Sequence, residues 1–302
     1  MGVAMLFSGQ GAQSPGMGRA FMDASSTMGE LFSMANTLLG YDLQSICLGG
    51  PGERLREPEV CQPALFVVGY GAFCTLRELD LIGDLRVCGG FSLGEWTALA
   101  AAEAISFEDG LLAVAARARF MAEAGEKTPG AMAAIIGADA DDVERLCEAC
   151  SIFKANINSP DQIVVAGEVE KIHEAIARAA EFGARRAIPL NVAGAYHCPV
   201  MKLAGERFAQ HLARVQIVKP RVPVLSNVSG LAVDDEKMLR QLLIEQITSP
   251  VQWIKCLHTA EELGAKKFME CGAGRVLQGL VRKNLPEAVA ISAEDLIQVP
   301  AE

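Results

Sequence analysis

Ser92 sits where a hydroxyl can be made nucleophilic. It lies in Gly90-Phe91-Ser92-Leu93-Gly94, a G-x-S-x-G pentapeptide. In that pattern a tight strand-to-helix turn pushes the serine oxygen outward, and glycines stand where larger side chains would strike the flanking strand and helix. The helix start behind the serine offers unpaired N–H groups and a positive dipole end, which suit the oxyanion of an acyl-transfer intermediate. The plainer reading is a glycine turn whose serine only caps a helix. A reactive serine needs a base, and the chain has 4 histidines: His173, His197, His211 and His258. Three of them fall inside helix-like runs. His197, in VAGAYHCPVM, ends a loop, where a ring can point into a cleft, and it ranks first on position.

The elements around Ser92 are readable. LRVC before the elbow is β-compatible. LGEWTALAAAEA after it is rich in helix formers, with Leu93, Trp96, Thr97, Ala100 and Ala101 spaced to share one face. VAMLFS at residues 3–8 reads as a buried strand breaking into the glycine turn GQGAQ. Helix-like and strand-like runs alternate to about Gly125, which predicts an α/β layer fold with a mainly parallel sheet. GEKTPG at 125–130 reads as a loop. Beyond it the pattern is β-α-β-β-α-β, the order of a ferredoxin-like unit. The expected division is a large α/β subdomain from 1–127 and 194–302, with a small ferredoxin-like subdomain inserted at 128–193.

Composition narrows the class. Of 302 residues, 51% are hydrophobic and 21% charged, as in a globular protein with a substantial core. No uninterrupted apolar run reads as long enough to span a bilayer. MGVAMLFSGQ lacks a basic signal-peptide region, and Leu6 stands where myristoylation wants Ser or Thr, so a cytoplasmic location is expected. Without a secretory signal, the NVS sequon at Asn227 reads as accidental. The 9 cysteines are an odd, scattered set, read as reduced thiols. Cys147 and Cys150 have CxxC spacing but no second pair beside them, so they read as helix-borne thiols and no metal is expected. The net charge of −10 argues against nucleic acid or an anionic membrane as partner. Local basic pairs remain: Arg185-Arg186, Lys219 with Arg221, Lys266-Lys267 and Arg282-Lys283.

The motifs in order are FSGQGAQ, GFSLGE, RARFM, GAMAAIIG, GAYHCPVM, SPVQW and GAGRVLQGL. Together they resemble the malonyl-CoA:acyl-carrier-protein transacylase family of fatty acid and polyketide synthesis, over nearly the whole chain. The resemblance implies an α/β-hydrolase-like large subdomain, a ferredoxin-like insertion, and a gorge between them. It implies Ser92 as the acylated nucleophile and His197 as the base, held by the backbone carbonyl of Gln246 rather than by an aspartate. It implies an oxyanion hole from the N–H groups of Gln10 and Leu93. It also implies that an arginine binds the free malonyl carboxylate. Residue spacing alone leaves Arg117 and Arg119 open; the family pattern selects Arg117. GAYH is similar to the pattern of malonyl-selective members, so Tyr196 is expected to narrow the space beside the malonyl C2 carbon. Malonyl-CoA and an acyl carrier protein are the implied partners, with no cofactor and a monomeric chain expected. An acyl hydrolase of the same superfamily, or a non-catalytic carrier-binding module, is the alternative. The chain departs from the family at Phe91, where histidine is usual, and at Ser8, where proline is common.

Overall fold

The computed structural model describes residues 1–297. Its strands in chain order are β1 (Gly2–Phe7), β2 (Asp84–Gly90), β3 (Gly130–Ile136), β4 (Phe153–Ser159), β5 (Gln162–Glu168), β6 (Arg186–Pro189), β7 (Val224–Leu225), β8 (Ala232–Val233), β9 (Ala265–Cys271) and β10 (Val289–Ser292). They form two sheets, a six-stranded one ordered β10-β9-β1-β2-β7-β8 and a four-stranded one ordered β4-β5-β3-β6. The larger sheet is parallel except for the β7–β8 pair at its edge. β1 lies inside it, between β2 and β9, and all six of its residues are buried. A continuous apolar run such as VAMLF is what a strand covered on both faces requires.

Three helices differ from the sequence expectation. The helix Gly94–Ala101 is buried on every side rather than along one face. It packs against β1, β2 and the helices Pro58–Glu78 and Phe107–Lys127. Pro58–Glu78 is long and apolar enough to cross a membrane, contrary to the sequence reading, but 89% of its most apolar window is buried inside the protein. A helix apolar all round is the expected core of a large domain, and that is its place here.

The helix Phe107–Lys127 starts at Ser106, whose side chain accepts from the Asp109 N–H, with Glu108 and Asp109 in its positive first turn. It continues to Lys127, into the stretch read as a loop. Within that extension a glycine suits position 125 because the chain crosses it closely: a Cβ there would lie 3.1 Å from the Ala193 carbonyl oxygen. β3 then begins at Gly130.

The four-stranded sheet is antiparallel throughout. Its strands and the helices Ala140–Cys150 and Val169–Arg178 follow the order β-α-β-β-α-β. Val143, Leu146, Ile163, Val165 and Ile172 form a core of its own. Cys147 and Cys150 belong to that core as free thiols, and burial pushes the Cys147 thiol up to about 12. The unit is stitched to the large sheet's side by a parallel bridge between Asn156 and Val251. The Ile157 N–H donates to the Val251 carbonyl at 2.8 Å, and the Val251 N–H to the Ala155 carbonyl at 2.9 Å. A cleft remains between the two units.

Candidate active site

The elbow follows β2 and faces this cleft. Ser92 has φ +52°, in the left-handed region. For a residue with a Cβ that conformation costs roughly 1–3 kcal/mol. The flanking glycines are sterically required. A Cβ on Gly90 would lie 1.9 Å from the Gly94 carbonyl carbon, and one on Gly94 would lie 2.1 Å from the Phe7 carbonyl oxygen in β1. Asn227 spans the turn: its Oδ1 accepts the Ser92 N–H at 2.6 Å, and its Nδ2 donates to the Gly90 carbonyl at 2.8 Å. Gln246 Nε2 donates to the Ser92 carbonyl at 3.0 Å.

His197 reaches the serine from the loop after the small unit. Its Nε2 lies 2.7 Å from Ser92 Oγ, and its Nδ1 lies 2.8 Å from the Gln246 carbonyl oxygen. A carbonyl can only accept, so Nδ1 carries the proton and Nε2 is left to accept from the serine hydroxyl. The ring is 3% exposed. Burial, and then the nearby Arg117 cation, push its pKa down to about 4, so it is a neutral base at ordinary pH.

Arg117 is 1% exposed, on the helix Phe107–Lys127. Its NH1 donates to Gln62 Oε1 at 2.7 Å, and its NH2 donates to Ser92 Oγ and Gln246 Oε1, each at 3.1 Å. Among the described residues no carboxylate lies within ion-pair distance of it. Burial pushes its pKa down to about 10, which leaves it charged. Arg119 points outward toward Glu123, with its side chain 56% exposed. The geometry thus separates two arginines that residue spacing alone left open, and it places inward the one that the resemblance selected.

Gln10, Leu93, Tyr196 and both members of the Ser-His pair line one cavity of about 290 Å³, roofed by small-unit residues such as Met132 and Val164. Among the described residues neither the Gln10 nor the Leu93 N–H donates a hydrogen bond. Both therefore remain available to an incoming oxygen. Phe91 sets its ring edge-on to Trp253, centroids 5.2 Å apart. The site so gains an apolar flank where a histidine would place a polar ring. The other histidines stand elsewhere: His173 and His258 are exposed, and His211 packs near the rings of Phe120 and Phe208.

Three buried polar residues escaped the sequence reading. Gln62 orients Arg117. Asn227, read as an accidental sequon, is fully buried across the elbow. Glu95 is 1% exposed, and its Oε2 accepts from the Asn227 N–H at 3.0 Å and from Gln246 Nε2 at 2.7 Å. Burial pushes its carboxyl up to about 7, against the pull of those hydrogen bonds and Arg117. One signal was available: Glu95 is the only charge in LGEWTALAA, an otherwise unbroken buried helix.

An arrangement of this kind, on a mainly parallel α/β layer, is built to carry an acyl group on a serine. Comparison with known proteins agrees. The model of the acyl transferase domain family matches residues 4–299, and the chain belongs to that family. It is 36% identical over 304 residues to the malonyl CoA-acyl carrier protein transacylase of Bacillus subtilis, covering 98% of this chain and 95% of that protein. It is 38% identical over 292 residues to the polyketide biosynthesis protein ThaF of Burkholderia thailandensis, covering 96% of this chain but only 25% of that much longer protein. The solved structure of the malonyl CoA-acyl carrier protein transacylase from Coxiella burnetii superposes with a TM-score of 0.94 at 35% identity, covering 98% of this chain and 96% of that one.

Proposed function

We propose that the chain transfers a malonyl group from malonyl-CoA to the phosphopantetheine thiol of an acyl carrier protein, through a malonyl-serine intermediate. One observation carries the choice of acyl group. Arg117 places a buried guanidinium, with no carboxylate among the described residues within ion-pair distance, 3.1 Å from the nucleophilic oxygen. A planar guanidinium binds a carboxylate through two parallel hydrogen bonds, and malonate brings the missing anion.

The steps follow from the positions. Ser92 Oγ attacks the thioester carbonyl while His197 Nε2 takes its proton. The carbonyl oxygen gains charge, and the N–H groups of Gln10 and Leu93 stabilise it. The C–S bond then breaks, and His197 returns the proton to the departing CoA sulfur. The carrier thiol repeats the sequence in reverse: it loses its proton to His197, attacks the ester, and releases Ser92. The Gln246 carbonyl fixes the imidazole tautomer throughout. No step requires a metal or an organic cofactor. A cytoplasmic setting, which keeps thiols reduced, suits the nine free cysteines.

The hydrolase alternative has no use for a carboxylate-binding cation beside the serine, and the binding-module alternative has no use for a 2.7 Å Ser-His contact. Incubation with radiolabelled malonyl-CoA should place label on Ser92, and purified carrier protein should then remove it. A wild-type enzyme that takes up no label, under conditions where it is folded, overturns the reading.

A further inference from the structure

We propose that Glu95 is a positioning residue for both halves of the Ser-His pair, through hydrogen bonds that tie the serine turn to the histidine's support. The proposal rests on the acyl-transfer reading above but not on the identity of the acyl group. Two arms leave one carboxylate oxygen. The first runs from Glu95 Oε2 to the Asn227 N–H at 3.0 Å, and the Asn227 side chain clamps the Ser92 N–H and the Gly90 carbonyl. The second runs from the same oxygen to Gln246 Nε2 at 2.7 Å, and the Gln246 carbonyl holds His197 Nδ1 at 2.8 Å. Gln246 Nε2 also donates to the Ser92 carbonyl, so it binds both sides of the pair.

The need for such a tie is geometric. Ser92 and His197 both hold left-handed backbone, at φ +52° and +58°. That region is uncommon for any residue with a Cβ, though histidine enters it more readily than serine, and a strained conformation of this kind persists only where its surroundings over-determine it. The two residues are 105 positions apart in sequence. No shared element holds them in register, so contacts between their loops must do so. Asn227 and Gln246 are each 0% exposed, and Glu95 is 1% exposed. A buried network of this kind is satisfied only if its acceptor stays in place. The clamp also occupies the Ser92 N–H, which leaves the Leu93 N–H as the elbow's free donor.

The roles of hydrogen bonding and charge separate in two conservative variants. Glu95→Gln keeps an acceptor oxygen at the same reach and loses the charge. Glu95→Asp keeps the charge and withdraws the oxygen by about one bond length. The readouts are the second-order rate of Ser92 labelling by a fluorophosphonate, the kcat against KM split for malonyl transfer, and the folded fraction by near-ultraviolet circular dichroism. Glu95→Asp should label about 30- to 100-fold more slowly than wild type, the range of an ångström-scale misplacement. The loss should fall in kcat, with KM held within about threefold. Glu95→Gln should stay within about fivefold of wild type. The reverse order, with the glutamine variant slower, assigns the effect to charge and overturns the proposal. Equal rates in all three folded proteins overturn it as well. A wild type that reacts with the phosphonate but not with malonyl-CoA would sink the malonyl reading while leaving this comparison intact.

Discussion

Replacing Arg117 by alanine should convert a malonyl-selective enzyme into an indifferent one. The magnitude follows from the guanidinium's surroundings. Its pKa falls from 12.5 to about 10 on burial. That shift corresponds to roughly 3 kcal/mol against the charged form. Yet at pH 7.5 more than two pKa units still separate it from neutrality. The empty enzyme thus carries a cation that its environment disfavours, held by amide oxygens of Gln62 and Gln246 and by the serine hydroxyl. A malonyl carboxylate compensates the charge; an acetyl group leaves it unpaired. Breaking a buried pair of this kind costs about 3–5 kcal/mol. At 1.36 kcal/mol per decade this is about 150- to 5,000-fold in kcat/KM. The assay is release of CoA from malonyl-CoA and acetyl-CoA, with the carrier protein as acceptor. Arg117→Ala should lose that factor with malonyl-CoA and keep its acetyl-CoA rate within about tenfold. Arg117→Lys offers a finer check. An amine starts from a lower pKa than a guanidinium, and the same burial pushes it down further, so residual malonyl selectivity in this variant should fade as pH rises, while wild type keeps its selectivity. A malonyl-to-acetyl ratio within threefold of wild type, in an alanine variant whose Ser92 still reacts with a phosphonate, refutes the argument.

Two further expectations concern pH and packing. His197 is active as a base when deprotonated, so the acid limb of kcat/KM should lie near 4 rather than near 6.5. The same depressed pKa means that the unfolded chain takes up a proton first, so His197 withdraws about 3 kcal/mol of stability as pH falls from 6.5 to 4. Glu95 acts with the opposite sign. Its pKa is raised from 4.5 to about 7, so its contribution is full below 4.5 and is lost as pH rises toward 7. The wild type should therefore show a flattened melting profile between these values, and Glu95→Gln should expose the histidine slope; an unchanged profile contradicts the opposed-sign account. Gly94→Ala should destabilise by about 1–3 kcal/mol or more and abolish Ser92 labelling, because its Cβ meets the Phe7 carbonyl at 2.1 Å. Gly29→Ala, inside the helix Ser26–Leu39 with nothing within 4 Å of the new Cβ, should raise stability by up to about 1 kcal/mol, so thermal melts of the two variants compare space alone.

What the sequence revealed, and what it hid, follow from the range of the contacts concerned. The elbow was legible because Gly90, Ser92 and Gly94 act on one another within five residues. The β-α-β-β-α-β order was legible because each element carries its own period. Arg117 and Arg119 were not separable by residue spacing alone; only the resemblance chose between them. Two positions on a helix are rotated by about 200°, so both cannot face inward, but only the neighbouring elements decide which one does. The helical Gly125 was misread as loop for a related reason, and the length of the apolar helix Pro58–Glu78 was underestimated because Gln62, Pro63 and its glycines interrupt the run in sequence but not in the fold.

Asn227, Gln62 and Gln246 lie further still from what local pattern reports. The bonds from the Ser92 amide and carbonyl span 135 and 154 positions. No spacing rule reaches that far. Yet these are the contacts that hold two non-glycine residues at positive φ and 2.7 Å apart. Short-range pattern therefore names the atoms that react, while the energy that keeps them poised comes from long-range amide contacts around a single acid. Glu95 joins the two levels: the sequence reading passed over it as one charge on a helix expected to bury a single face, and as the acceptor shared by both clamps it acquires a reason only in the fold.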